Sequence, residues 1–322
     1  MKKDLGIFGL LAALCLIGVS RDPHFLSAIN FINLANIIGL FGIFSIGSGL
    51  VIIAGGIDLS IGSMIAVVGV LLPMALREWH WPWPAAIALA LAVPMFFGWT
   101  HGWLVTRLKI QPFIVTLCGL LIYRGMARTI TNDVTKGFGD AQAQGFGALE
   151  RFCDGTLFGV PMPFVILIIV TVVMWFVLHR SIYGRYLLAV GRNEDATRFS
   201  GINTRKVISS TYIIAGLLTG ISGILFAFWV NSISPATFGT FYETYGIAAA
   251  VLGGCSLRGG EGSIIGIVIG VAVLQVLQNL VNLLGVPSPL NYVVMGGVVL
   301  VGVIVDELVK RHSAKKLARA QK

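Results

Sequence analysis

Ten runs of apolar residues, parted by short polar or glycine-rich stretches, decide what this chain can fold into. They lie at 5–20, 31–54, 61–76, 84–105, 110–130, 163–179, 209–230, 246–255, 263–284 and 289–305. A backbone surrounded by lipid must satisfy its polar groups internally, so a segment crossing about 30 Å of hydrocarbon is a helix of about 20 residues. Of the 322 residues, 56% are hydrophobic and 11% charged, and the mean hydropathy is +0.88. Soluble domains carry about one quarter charged residues. The expected fold is therefore all-α: one polytopic membrane domain, 1–322, with about ten transmembrane helices, some of them interrupted. The runs 5–20, 61–76 and 246–255 are short for a full crossing.

Charge sets the expected orientation, because Lys and Arg gather on the cytoplasmic side. With ten spans, one face collects Lys2, Lys3, Arg107, Lys109, the basic residues of 180–208, Arg258 and the basic tail 308–322. That face holds 17 of the 23 Lys and Arg residues. Both termini are then expected in the cytoplasm, and the cluster Trp79-His80-Trp81-Pro82-Trp83 at the outer interface. Topology accounts for the net charge of +9 without a nucleic-acid partner. Anionic membrane lipid is a natural contact for the tail. Lys2 and Lys3 ahead of an apolar run resemble a secretory leader, but removing it would strand the tail outside, so it reads as a retained span.

Glycine-rich clusters interrupt two of the runs, AGGIDLSIGS at 54–63 and LGGCSLRGGEGS at 252–263. Each opens on a glycine pair, Gly55-Gly56 and Gly253-Gly254, and each feeds a new apolar helix. Irregular backbone at membrane depth is tolerated only where protein or a water-filled cavity covers it. Paired breaks in two halves of a chain mark a transport path. Asp58, beside Ser60 and Ser63, either caps the following helix or meets a substrate or ion. Gln275, Gln278, Asn279 and Asn282 line one face of the ninth span at i, i+3, i+4 and i+7. Uncharged amides suit a neutral polyhydroxylated solute, and equally an interhelical hydrogen bond. Asn30, Asn33 and Asn36 form a smaller stripe, read as interfacial or capping. Small residues four apart, Gly98/Gly102, Gly216/Gly220 and Gly262/Gly266/Gly270, predict close helix packing.

No catalytic constellation is visible. The chain has no G-x-x-x-x-G-K-[ST] phosphate cradle, no metal-ligand spacing and no Ser-His-Asp set. Its cysteines, Cys15, Cys118, Cys153 and Cys255, are scattered, and Cys153, in an outer loop, reads as a free thiol. It is expected to bind no cofactor or metal and not to be an enzyme.

The long polar stretch 180–208 lies between membrane runs. Within it a short amphipathic helix is predicted over 194–200, bounded by Asn193 and Gly201. The sequence G-R-Y-L-L-A-V-G-R-N-E-D-A-T-R-F-S-G-I there, with G-G-I-D-L-S-I-G-S at 55–63 and V-L-G-G-C-S-L-R-G-G-E-G at 251–262, closely resembles the permease subunits of ribose-type ABC sugar importers (ribose, xylose, arabinose, galactose). The similarity runs from about residue 25 to about 307. It implies a bacterial cytoplasmic-membrane permease for a ribose-like monosaccharide. It further implies a second permease copy or related permease, an ABC ATPase subunit that holds the ATP, and a periplasmic sugar-binding protein. The family's coupling segment matches Gly191, Arg192, Asn193, Glu194, Ala196, Arg198 and Gly201, making 180–208 the cytoplasmic coupling loop. The expected translocation path takes in Asp58, Ser60, Gln275, Gln278, Asn279 and Asn282. Cys255 and Arg258, where many relatives carry smaller or uncharged residues, and the idiosyncratic outer loop 131–162 do not break the family pattern but leave the sugar and the docking of the binding protein open. The competing reading is an ion-coupled carrier, whose candidate proton sites are Asp58, His101, Arg124 and Glu243.

Overall fold

The computed structural model describes residues 2–139 and 146–287, with isolated positions between 290 and 304. The helices are α1 (Lys2–Arg21), α2 (Ala28–Ile53), α3 (Ile61–Pro73), α4 (Trp83–Arg107), α5 (Pro112–Thr131) and α6 (Phe146–Asp154). They continue with α7 (Met162–His179), α8 (Ile182–Arg192), α9 (Glu194–Phe199), α10 (Thr204–Val230), α11 (Tyr242–Leu252) and α12 (Ile264–Leu283). A two-stranded antiparallel hairpin, Thr156–Leu157 with Val160–Pro161, is the one sheet among the described residues. The all-α expectation is met. Neither α6 nor the hairpin was foreseen, since both fall in the polar stretch 131–162.

Seven helices among the described residues are long and apolar enough to cross a membrane: α2, α3 with its extension to Glu78, α4, α5, α7, α10 and α12. The predicted count of about ten is not reached there. The apolar part of α1, Gly6–Arg21, is short. Residues from 242 do join the run at 246–255, yet α11 has only 11 residues, about 16 Å at about 1.5 Å each, or half a hydrocarbon layer. The tenth run, 289–305, lies outside the described residues apart from the isolated positions, and so does the tail. The run 61–76 gains its length from an extension that its proline would seem to forbid. Pro73 offers no N–H and crowds the preceding turn, and the helix widens into a π-turn over Met74–Glu78, with Trp79 N–H bonding Met74 O at 2.9 Å.

In lipid both the core and the surface of a bundle are apolar, so hydrophobicity alone does not say which helix lies inside. Small residues do, because they let backbones approach. The most apolar 18-residue windows of α2 and α3 are 94% and 89% buried, against 28% for α4, α5 and α7. Along α2, Gly39 meets the Pro163–Phe164 backbone of α7, and a Cβ on Gly47 would lie 3.0 Å from Ala215 Cα of α10. A methyl on Gly49 would strike Ile267 of α12. Ser222 of α10 donates to Leu40 O at 2.7 Å, another tie to the central helix.

The predicted glycine pairs make the α4–α10 contact. Gly98 lies against the Tyr212 carbonyl and Gly102 against Ser209, while Gly216 meets the Pro94 carbonyl and Gly220 meets Pro94 and Ala90. Numbers rise along one helix as they fall along the other, so the two run antiparallel. On α12, Gly270 packs on Ala249 and Gly253. At the end bearing Trp79 and Trp81, whose rings lie 5.6 Å apart, Lys136 pairs with Glu78 at 2.5 Å and Arg128 with Asp133 at 2.7 Å. Cys153 is free and lies on the buried side of α6, and burial pushes its thiol up to about 12.

Gly98→Leu would force α4 away from α10, with an overpacking cost of about 1–3 kcal/mol or more. The detergent-solubilised protein is expected to melt several degrees lower and to accumulate less in membranes. Gly125→Ala, at a helical glycine with no neighbour within 4 Å, is the control and should leave both unchanged.

Candidate coupling and translocation site

The six residues of α9 are held at both ends by the chemistry the sequence suggested. Asn193 Oδ1 accepts from Ala196 N–H at 2.9 Å at the start. At the end Gly201, at φ +83°, bonds Arg198 O while Ile202 N–H bonds Thr197 O, a Schellman stop that needs the left-handed conformation. Glu194 accepts from the Thr204 hydroxyl at 3.1 Å, fixing α9 to the first turn of α10. Arg198 pairs with Asp195 at 2.8 Å, but both are exposed, so the pair adds little stability and remains available to a partner. Phe199 is 84% exposed at the tip.

Gly191 and Arg192, at the end of α8, lead inward. A Cβ on Gly191 would collide with Ile53 O and Gly260 N, and one on Gly260 would collide with Arg192. Gly259 lies equally close to Gly191 O and Gly55. Three glycine-bearing segments far apart in sequence thus meet backbone to backbone: the end of α2, the end of α8, and residues 253–262. Gly260 N–H closes the junction with a 2.8 Å bond to Ile53 O.

Both predicted helix breaks use one device. After α2, Gly55 N–H bonds Ile52 O and Gly56 N–H bonds Val51 O, with Gly55 at φ +86°. After α11, Gly254 N–H bonds Val251 O and Cys255 N–H bonds Ala250 O, with Gly254 at φ +88°. These are two further Schellman stops. The glycine pairs are offset by one: Gly55 corresponds to Gly254, and Gly253 is the preceding cap.

Asp58 is 2% exposed. Its Oδ1 accepts from Ser60 N–H at 2.8 Å and the Ser60 hydroxyl at 2.6 Å, shaping the turn that enters α3. Around it lie His101, Tyr123, Tyr212 and Glu243, all within its electrostatic reach. His101 Nε2 and Tyr123 Oη share a 2.9 Å hydrogen bond. The Tyr212 hydroxyl and His101 Nδ1 are buried without a protein partner. Tyr212 also lines a cavity of about 680 Å³ that lies between α9, the α4–α5 turn with Lys109, and Gly55-Gly56.

The amide face of α12 does not converge on this cluster. Asn279 and Asn30 exchange hydrogen bonds in both directions, at 2.7 and 3.2 Å, and Asn30 also donates to Phe25 O at 2.9 Å. Asn30 is at the start of α2 and the glycine junction at its end, so about 35 Å separates them at about 1.5 Å per residue. Gln275 is buried, Gln278 half-buried and Asn282 exposed. The predicted path residues therefore form two separate groups, the Asp58–Ser60 turn and the α12 amides. Sequence reading missed Gly259, Gly260 and Tyr212. The extra glycines in LRGGEG were the available signal for the first two; Tyr212 carried none.

Residues 30–303 match a family model described as branched-chain amino acid transport system / permease component. The ribose import permease protein of Escherichia coli K12 is 39% identical over 301 residues, 92% of each chain. That of Bacillus subtilis 168 is 36% identical over 308 residues, 95% of this chain and 93% of the relative. The D-allose transport system permease protein of Escherichia coli K12 is 30% identical over 309 residues, 95% and 92%. No solved structure matches significantly.

Replacing Asn279 with Ala should destabilise the protein by about 0.6 kcal/mol and at most about 1.7 kcal/mol, the range for hydrogen bonds between membrane helices. Asn30→Ala should then cost less in the Asn279→Ala background than alone, the remainder being its bond to Phe25 O, read as a double-mutant cycle on unfolding in mixed micelles. Additive losses would show that the two amides do not depend on each other.

Proposed function

This chain belongs to the family of transport-system permease components, and from that premise we propose that it is the membrane-spanning subunit of an ATP-driven importer carrying a ribose-like monosaccharide. The family description names branched-chain amino acids, whereas the relatives that align along nearly the whole chain are named for ribose and allose. The sugar reading follows the relatives, because 39% identity over 92% of both chains is the more specific likeness. A neutral polyol also asks for amides and hydroxyls rather than the paired charges an amino-acid zwitterion would need.

We assign the chain ten spans, with the run 289–305 as the last, both termini in the cytoplasm, and a place in the bacterial cytoplasmic membrane. Lipid surrounds it, and the tail 308–322 lies against anionic headgroups. A second permease copy completes the conduit, a periplasmic sugar-binding protein delivers the sugar, and an ABC ATPase docks on the face bearing α9. ATP is bound and hydrolysed there; this chain holds no cofactor or metal, and nucleic acid has no part. Within 180–208, Asn193, Ala196 and Gly201 shape α9, Glu194 ties it to α10, and Arg198 and Phe199 meet the ATPase. Gly191 and Arg192 carry the displacement to the glycine junction. Along the path, Gln278 and Asn282 face the sugar, while Asp58, Ser60, Gln275 and Asn279 hold the surrounding helices in place.

The observation that carries this reading is the capped, exposed α9 joined through Gly191 to both helix breaks. A force on α9 from below has a backbone route into α2, α3 and α12. His101 bonds Tyr123 and Arg124 bonds two carbonyl groups, and the relatives named for ribose import and D-allose transport favour the importer over an ion-coupled carrier.

In proteoliposomes holding this chain with its ATPase and sugar-binding protein, uptake of labelled ribose should require ATP. Uptake that persists without the ATPase and collapses with a protonophore would overturn the reading. In a cysteine-free background, Phe199→Cys should react with an impermeant maleimide only from the cytoplasmic side, and labelling from outside would sink the coupling assignment.

A further inference from the structure

The intramembrane charges of α5 and α11 have no role in the coupling route above, yet they join the two irregular segments at the heart of the bundle. Residues 54–60 lead into α3, and the turns at 235–241 lead into α11. Where the two meet, Gly62 and Gly239 touch backbone to backbone: a Cβ on either would strike the other's carbonyl oxygen. Gly239, at φ +72°, adopts a conformation that favours glycine for a second reason. Glu243 stands in the first turn of α11, 8% exposed, with its carboxylate against the Gly62 backbone.

Arg124 reaches this crossing from past the midpoint of α5. Its Nη1 donates to Phe238 O at 2.6 Å and Pro235 O at 3.1 Å. Its charge attracts that of Glu243, which also feels the like charge of Asp58. Depth follows from the neighbouring rings. Tyr242 lies 4.8 Å from Phe41 and stacks on Phe44 at 6.0 Å, and both phenylalanines fall near the middle of α2. Charge at such depth is costly unless paired and hydrogen-bonded, so its presence there calls for an explanation.

Structural anchoring alone would be served by any helix already packed in the core. α5 is instead one of the least buried spans, at 28%, and it carries exposed Leu117, Leu121 and Ile122 along its outer side. The hydrogen bonds of the Arg124 guanidinium to Pro235 O and Phe238 O both cross to the segment ahead of α11, which in turn touches the start of α3. A shift of α5 would therefore carry the irregular segment with it. We propose that Arg124 and Glu243 are positioning residues for the transport step: a mid-bundle charged tie that makes residues 235–241 and the start of α3 follow α5 as the path opens. The proposal rests on the importer reading.

The test uses the complete complex of this chain, its ATPase and its sugar-binding protein in proteoliposomes. Arg124→Gln and Glu243→Gln are each expected to lower the maximal rate of ribose uptake by about tenfold with half-saturation unchanged, and the double variant should be no slower than the slower single. ATP hydrolysis stimulated by loaded binding protein should persist, which a complex that had merely failed to fold would not show. Arg124→Lys, keeping charge but losing the planar fork, should recover part of the rate. Wild-type uptake in both single variants, or losses that multiply in the double, would overturn the tie. Should Arg124→Gln fail to accumulate, Arg124→Lys decides: a several-fold lower rate supports the tie and an unchanged one overturns it. Failure of the wild-type complex to import sugar would instead strike the importer reading.

Discussion

The carbonyl oxygen of Ile53 accepts a hydrogen bond from Gly260 N–H at 2.8 Å, and the rest of the architecture depends on that bond. A helix that ends inside a bundle leaves four carbonyls without partners, and each one buried unpaired costs about 1–3 kcal/mol. At the end of α2 all four are accounted for. Ala54 N–H takes Leu50 O, Gly56 takes Val51 O, Gly55 takes Ile52 O, and the last is met from a segment two hundred residues away in the chain. The break after α2 is therefore completed only when residues 253–262 are in place. One end of the molecule is locked by this bond into a single backbone junction.

That lock explains a pattern of glycines that composition alone left ambiguous. Gly191, Gly259 and Gly260 all stand where another backbone passes too close for a Cβ. Backbone contact leaves no flexible side chain to absorb a displacement. A shift of α8 is felt directly at Ile53 and at the residues leading into α3 and α12. Under the proposed coupling role, stiffness is what this geometry offers: α9 is short and capped, α8 joins it through Asn193 alone, and the junction has no soft layer. An importer driven by an external motor needs such a path, because compliance along it would dissipate the stroke before the far end moved.

How much of this was legible in the sequence depends on the distance over which each interaction acts. Asn193, Gly201, Gly55 and Gly254 work on their own neighbours, and the residue types at those positions announced the caps and stops directly. The i, i+4 glycines of α4 and α10 signalled close packing correctly, although nothing in the sequence said that each pair faced the other helix. Asn279 had two readings of equal standing, and its partner proved to be Asn30, whose own stripe looked interfacial. The meeting of Gly62 with Gly239, and of Gly191 with Gly260, could not be read at all, since both are products of tertiary assembly. The short run at 246–255 did announce a helix too short to cross, and α11 has 11 residues, whereas the proline-tolerant extension of α3 escaped a search for apolar runs, because it ends where the surrounding bundle, rather than hydrophobicity, allows.

The polar side chains also bear on where selectivity for a sugar can reside. Asp58 is occupied by Ser60, Asn279 by Asn30, His101 by Tyr123, and Arg124 by Pro235 and Phe238. A group already satisfied by protein gains little from a passing hydroxyl and holds it weakly. Such weakness suits a conduit, because a solute bound tightly at mid-depth would lower the energy of a waiting state and slow its release. Strong discrimination between pentoses and hexoses requires several convergent, unpaired donors and acceptors in a closed pocket. Around Asp58 most of the buried groups are spent on holding broken helices together, and the unpartnered Tyr212 hydroxyl and His101 Nδ1 are too few for such a pocket, so on physical grounds most of the choice of sugar falls to whatever delivers it.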